Sequence, residues 1–361
     1  MNWKTLTPLA VFGLLFFAGC SKSDEPTPVQ QTSTPDIHLL SQAKLELDLP
    51  EAPLYDPTVA DERAGGVIKV SPGVDQLQAV INSAGNNAKI KLLAGSHVET
   101  NTLIINHPVT LTAEAGATLS LNGILGLYIL NTQGVKISDM TIVNGGGTYF
   151  GIAVDHSAHV TVEGNTLTGF PVAVTLAQGD HAKVHGNTMT AAGLFPEEHG
   201  VVVANGDHVS VKDNDISGFI FGIWACDHNG LAVGNTLYNN LIGLILCKVP
   251  PGGLPFGGGT GGSEFPATNW TCVNNDSYSN VYGYMVIDGA NNNTLSNNTA
   301  SSDNFLIDME LVFETNLLFG FFTPTSHDNT VNVGGADIDI IDCGVNNVVH
   351  GGTAASGPCS I

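Results

Sequence analysis

The sequence predicts an all-β chain folded as a single-domain parallel β-solenoid, and three observations predict it. First, the stretch from Ala158 to Lys248 repeats itself: "AHVTVEGNTLTGFPVAVTLAQG", "DHAKVHGNTMTAAGLFPEEHGVVVANG" and "DHVSVKDNDISGFIFGIWACDH" are variants of one unit. A period of about 22 residues is the signature of stacked coils. Second, an asparagine returns once per unit, at Asn165, Asn187, Asn214, Asn235, Asn275 and Asn298. Third, each unit holds short runs in which apolar residues alternate, as at Val160, Val162 and Leu167. That is the period of strands, with no helical period between them.

Two interruptions of the repeat read as loops that leave the coil. One surrounds Glu197, Glu198 and His199, and the other lies in "VPPGGLPFGGGTGGSEFPAT", which contains Glu264. Such insertions are where a solenoid places binding walls, so His199, Glu198 and Glu264 are candidate substrate-binding residues.

This pattern resembles the right-handed parallel β-helix proteins of the pectin-lyase-like class, over roughly residues 67 to 350. The resemblance implies that the asparagines form a buried ladder, in which identical amides stacked at strand spacing bond to one another. It also implies a short capping helix at the start. "VDQLQAVINSA" places Val74, Leu77, Val80 and Ile81 on one helical face, suited to covering the open edge of the first coil.

Before the solenoid, residues 1–19 read as an export signal: one lysine, an apolar run too short to span a bilayer, and Ala18-Gly19 before Cys20. Cysteine after Ala-Gly resembles the lipobox of bacterial lipoproteins, which implies lipidation of Cys20 and a membrane anchor. The expected location is the bacterial outer membrane, facing the cell surface or the periplasm. Residues 20–65 are rich in Pro, Ser, Thr, Gln and Glu and form a tether. Residues 66–361 are the β-helix domain with a cap at each end.

The chain carries 11 Lys and Arg against 33 Asp and Glu, a net charge of −22, which disfavours nucleic acid and acidic polymers unless a cation bridges them. Cys226 and Cys247 fall at the same position of successive units, roughly 4.8 Å apart by strand spacing, and are expected to form a disulfide. Cys343 and Cys359 are expected to staple the C-terminus, and Cys272 to be a buried free thiol.

Two clusters point to chemistry. His159, His181 and His208 form one column with Asp180 and Asp207 beside it, a set able to hold a divalent cation or to move protons. The alternative is turn chemistry inherited by every repeat. In the second cluster Trp224 should point outward as a sugar-stacking platform. Asp227 and Asp288, two coils apart at roughly 9.6 Å, would form a carboxylate pair with Lys248 between them as an elimination base or an ion-pair partner.

The sole arginine is Arg63 in the tether, and Asp-Asp and Asp-Pro-His-Asp motifs are missing, so the acid–base sets of the enzymes this chain resembles are not reproduced. The reading is a surface-anchored β-helix protein that cleaves or remodels a polysaccharide, by hydrolysis or elimination. A non-catalytic glycan-binding or adhesion solenoid and a metal-binding β-helix are the alternatives.

Overall fold

The computed structural model describes residues 66–192, 199–248, 265–300, 307–311, 326–333 and 338–354. The expected signal, Cys20 and the tether lie outside them, as do Glu198, Glu264 and Cys359. The described strands form three parallel sheets of 12, 10 and 11 strands, here called A, B and C. The chain visits them in turn. One coil runs through Thr161–Glu163 in A, Thr166–Thr168 in B and Val172–Ala177 in C, and the next begins at Lys183–His185, back in A.

Register is strict. Thr161 pairs with Lys183, Leu167 with Met189 and Val174 with Val201, so each inward position becomes a column of like residues. In sheet A that column includes Ile137, Val162, Val184, Val211, Ala232, Cys272 and Leu295, all fully buried. Cys272 is therefore a core residue, a free thiol that burial pushes up to about 12.

The asparagine ladder stands at the turn from A to B. The side-chain amide of Asn165 donates to Oδ1 of Asn187 at 3.0 Å, Asn187 to Asn214 at 3.0 Å and Asn214 to Asn235 at 2.9 Å. Asn235 donates to Asn275 at 2.8 Å and Asn275 to Asn298 at 2.9 Å. The backbone N–H of Asn165, Asn187, Asn214, Asn235 and Asn275 donates to that same Oδ1. The second amide proton goes to a carbonyl of the previous coil, as from Asn214 to Val184 and from Asn235 to Val211. Each buried corner is thereby satisfied by one residue type.

Two shorter ladders accompany it. Asn240 and Asn280 stack at the turn from B to C, where the Asn240 N–H donates to Asn280 Oδ1 at 2.8 Å. Asn293, Asn329 and Asn347 take over the turn from C to A in the last coils.

The helix α1 (Leu77–Ser83) takes the place of a C strand in the first coil. Leu77 and Ile81 are buried beneath it, and the Gln78 amide both donates to the carbonyl of Ile104 and accepts from its N–H. It thus satisfies one residue of the open edge of strand Leu103–Ile105. Val74, expected on the helical face, instead sits in strand Gly73–Val74 and is 55% exposed, because the helix starts only at Leu77.

Sheet C differs from A and B in being buried on both faces. All six residues of Val172–Ala177 are buried, as are all five of Phe221–Ala225 and of Ile242–Leu246. Its outward side chains, among them Tyr128, Val202, Trp224, Ile245 and Met285, form a second apolar cluster. In sequence, the internal segments outside the described residues all adjoin ends of sheet C strands.

Asn235→Ala should test the ladder. It removes the acceptor for the Asn214 amide and backbone N–H and the donor to Val211, and is expected to cost about 2–4 kcal/mol in chemical denaturation. Asn292→Gly, at an exposed left-handed position, should change stability by less than about 0.5 kcal/mol.

Candidate functional site

The turn from sheet C to sheet A collects the titratable residues, and backbone geometry explains why. Asn131, His156, Gln178, Asn205, Asp227 and Asp288 share a left-handed conformation just after the C strand, with φ between 47 and 70°. His159, His181, His208, Asn229 and Asn269 share a second left-handed column just before sheet A. Among non-glycine residues, Asn, Asp and His enter this region most readily, so the turn itself selects these residue types.

The three histidine rings lie in a column in which His181 and His208 stack and His159 is tilted against His181. Their centroids are 4.9 Å apart between His159 and His181 and 5.0 Å between His181 and His208. Asp207 approaches His208 Nδ1 at 3.0 Å, while Asp180 Oδ1 accepts the Asp207 backbone N–H. Among the described residues no group of three or more His, Cys, Asp or Glu side chains is placed to hold a metal ion.

Beside this column lies an open groove of about 590 Å³ whose lining includes Asn131, Gln133, His156, Ser157, Gln178 and Asp180. Among the described residues no lysine or arginine lines it. At its wall His156 Nδ1 contacts Oδ1 of Asp155 at 2.6 Å, and the Tyr128 hydroxyl donates to Oδ2 of Asp155 at 2.8 Å. Asp155 is buried and the His156 ring half-exposed. A carboxylate only accepts, so Nδ1 carries the proton and Nε2 is the basic nitrogen of the ring. Burial and the Asp155 charge both push the Tyr128 phenol upward, which keeps it a neutral donor. Adjacency of Asp155 and His156 is visible in the sequence, but their partner Tyr128 belongs to the preceding coil.

The second expected cluster is built differently. Trp224 does lie on the outward side of sheet C, but it is 4% exposed, so it is no open stacking platform. It packs in the second apolar cluster, its indole N–H donating to Cys247 Sγ and its ring 5.0 Å from that of His199. His199 also stacks on Phe221 at 5.2 Å, and its shielded Nδ1 has no hydrogen-bond partner among the described residues. Burial drives its imidazole down, to about 3.

Asp227 and Asp288 lie in one turn column, both buried, with Lys248 between them half-buried. Asp227 lies 3.5 Å from His228 Nε2.

Cys226 and Cys247 are neighbours, but as free thiols with sulfurs 3.8 Å apart, in place of the expected disulfide. In-register strands hold their side chains parallel, and the sulfurs are nearly twice the covalent distance of about 2.05 Å apart. Cys343 is disulfide-bonded, with its partner outside the described residues.

A family model described as "Periplasmic copper-binding protein (NosD)" matches residues 73–249. Among solved structures, a polygalacturonase from Erwinia carotovora ssp. carotovora is similar at TM-score 0.52 and 13% identity, covering 82% of this chain and 98% of that one. The ORF18 protein of Geobacillus virus E2 is similar at TM-score 0.45 and 12% identity, over 77% of this chain. This chain spans only 56% of that viral protein. The Streptococcus pneumoniae surface adhesin PfbA is similar at TM-score 0.43 and 10% identity, over 76% of this chain and 84% of that one. No curated protein matches. The polygalacturonase likeness shows a fold class, the pectin-lyase-like right-handed β-solenoid, and nothing about activity.

The His199 environment predicts a sign of pH dependence. With a folded value below the unfolded value of about 6.5, this group leaves stability intact above that pH and lowers it as pH falls toward the folded value. His199→Phe should therefore lose less melting temperature between pH 7 and pH 5 than the parent; parallel curves would mean that the ring protonates freely in the fold.

Proposed function

We propose that this protein is an exported β-solenoid that binds a hydroxyl-rich polysaccharide along the turn from sheet C to sheet A and cleaves or remodels it there. The observation that carries the reading is the groove beside His156. Its amides, hydroxyls, carboxylate and imidazole are the group types that recognise sugar hydroxyls, and a wall whose described residues include no lysine or arginine fits a neutral glycan better than an acidic one. At its wall His156, held from behind by the buried Asp155 and Tyr128, supplies an oriented base able to take a proton from water or a sugar hydroxyl onto Nε2. Asp227, Lys248 and Asp288 are a second candidate set on the same edge. Lipidation at Cys20 and attachment at the outer membrane belong to the same proposal.

A second reading, metal handling, is favoured by one observation. The family model with the copper-binding description spans residues 73–249, which include the histidine column and both Cys226 and Cys247. As placed, no three of these side chains are set to hold an ion, so His159, His181 and His208 with Asp180 and Asp207 would need an ion to reorganise them.

The test is a panel of neutral and acidic polysaccharides, with and without calcium, reading reducing ends and absorbance at 235 nm. Product from neutral glycans is expected, and His156→Gln should lower the rate by about 10²-fold or more, the contribution typical of a general base. Loss in Asp227→Asn or Asp288→Asn with His156→Gln unaffected would move the chemistry to the second set. Binding without turnover would establish a glycan-binding or adhesion solenoid, and silence in both would refute the polysaccharide reading.

A further inference from the structure

Cys226 and Cys247 each stand one residue beyond a sheet C strand, after Phe221–Ala225 and Ile242–Leu246 respectively. The strands are paired through Ala225 and Leu246, and backbone bonds from Cys226 to Val203 and from Cys247 to Ala225 continue the ladder past both strand ends. Both thiols belong to the second apolar cluster, on the outward side of the sheet, with no solvent exposure. Their sulfurs are 3.8 Å apart, and the indole N–H of Trp224 donates to Cys247 Sγ.

We propose that Cys226 and Cys247 form a two-thiolate site for a soft monovalent ion, copper(I). Its place rests on the sulfur geometry alone; the choice of copper rests on the metal-handling reading above. Metal–thiolate bonds of about 2.3 Å can bridge sulfurs up to about 4.6 Å apart, so the observed separation is within reach without moving a strand. Thiolates select copper(I), whereas zinc takes four donors and this apolar wall presents two sulfurs.

Binding transfers no electrons. Each thiol releases its proton to solvent as a sulfur lone pair bonds the ion, so a neutral pair and one cation become a complex of charge −1 and two protons. The Trp224 N–H, already directed at Cys247, offsets part of that negative charge, while burial and the nearby Asp288 carboxylate oppose it.

The experiment uses the full chain, anaerobic, with copper(I) alone as the probe and bathocuproine disulfonate as competitor. One copper(I) per chain should be retained, with a thiolate-to-copper band in the ultraviolet. Cys226→Ser and Cys247→Ser should each weaken retention at least 100-fold, while Cys272→Ser, at the core thiol outside the pair, should not. Retention by both cysteine variants equal to the parent would overturn this site and leave the metal-handling reading standing, whereas no retention by the parent would overturn both. A Cys226–Cys247 disulfide in peptides mapped from the native protein would also overturn it. If the variants do not fold, X-ray absorption on the copper-loaded parent decides: two sulfurs near 2.3 Å are expected, and nitrogen or oxygen donors would sink the proposal.

Discussion

Everything in this molecule depends on the in-register stacking of one coil on the next, and the buried asparagine at the turn from A to B is what holds that register. A parallel strand pair has no hairpin to set its alignment, and a slip of one residue would turn every inward side chain outward. The side-chain amide resists such a slip because it bonds in two directions. Asn214, for example, donates to Asn235 of the next coil and to the Val184 carbonyl of the coil before. Moving by one residue would strand three or four polar atoms in a buried corner, at roughly 1–3 kcal/mol each.

Once register is fixed, equivalence of position becomes contact. The His181 and His208 rings stack at 5.0 Å, Tyr238 and Tyr278 at 5.2 Å, and the Cys226 and Cys247 sulfurs meet at 3.8 Å, each by virtue of a shared column. The turn adds a second constraint, since its left-handed residues, Gln178 excepted, are drawn from Asn, Asp and His whatever their use. Asp207 beside His208, and His327 beside Asp328 at 2.7 Å, are local products of that turn. Asp155 with His156 goes further, because Tyr128 from the preceding coil engages the other carboxylate oxygen.

The sequence made most of this architecture legible because its markers are columnar. Asn165, Asn187 and Asn214 announce the ladder, and the gap between Asn235 and Asn275 locates the long insertion. What it concealed followed from one assumption, that apolar alternation marks a strand with one face inside. Sheet C breaks that assumption: "VAVTLA" and "IGLIL" are nearly continuous apolar runs, the mark of strands buried on both sides. Reading them as half-exposed put Trp224 in the open, whereas it packs against His199 and Phe221. Tyr128 was missed for another reason: its coil lacks the marker asparagine, so nothing in the repeat aligns it with Asp155.

The two chemical features on this face sit in one column at a useful separation. Asp155 pairs with Ala177 and Ala177 with Ala204, and the bond from Cys226 to the Val203 carbonyl carries the same column on to Cys226. Three strand spacings, about 14 Å, therefore separate the carboxylate that orients His156 from the first thiol. Groups that far apart with no shared partner act almost additively. The intervening Ala177 and Ala204 offer no polar atom to couple them, so a charge gained at the thiols would reach the His156 dyad only as a weak field. A solenoid suits that division: each coil contacts only its neighbours, so a few rungs insulate one site from the next while the ladder keeps both in register.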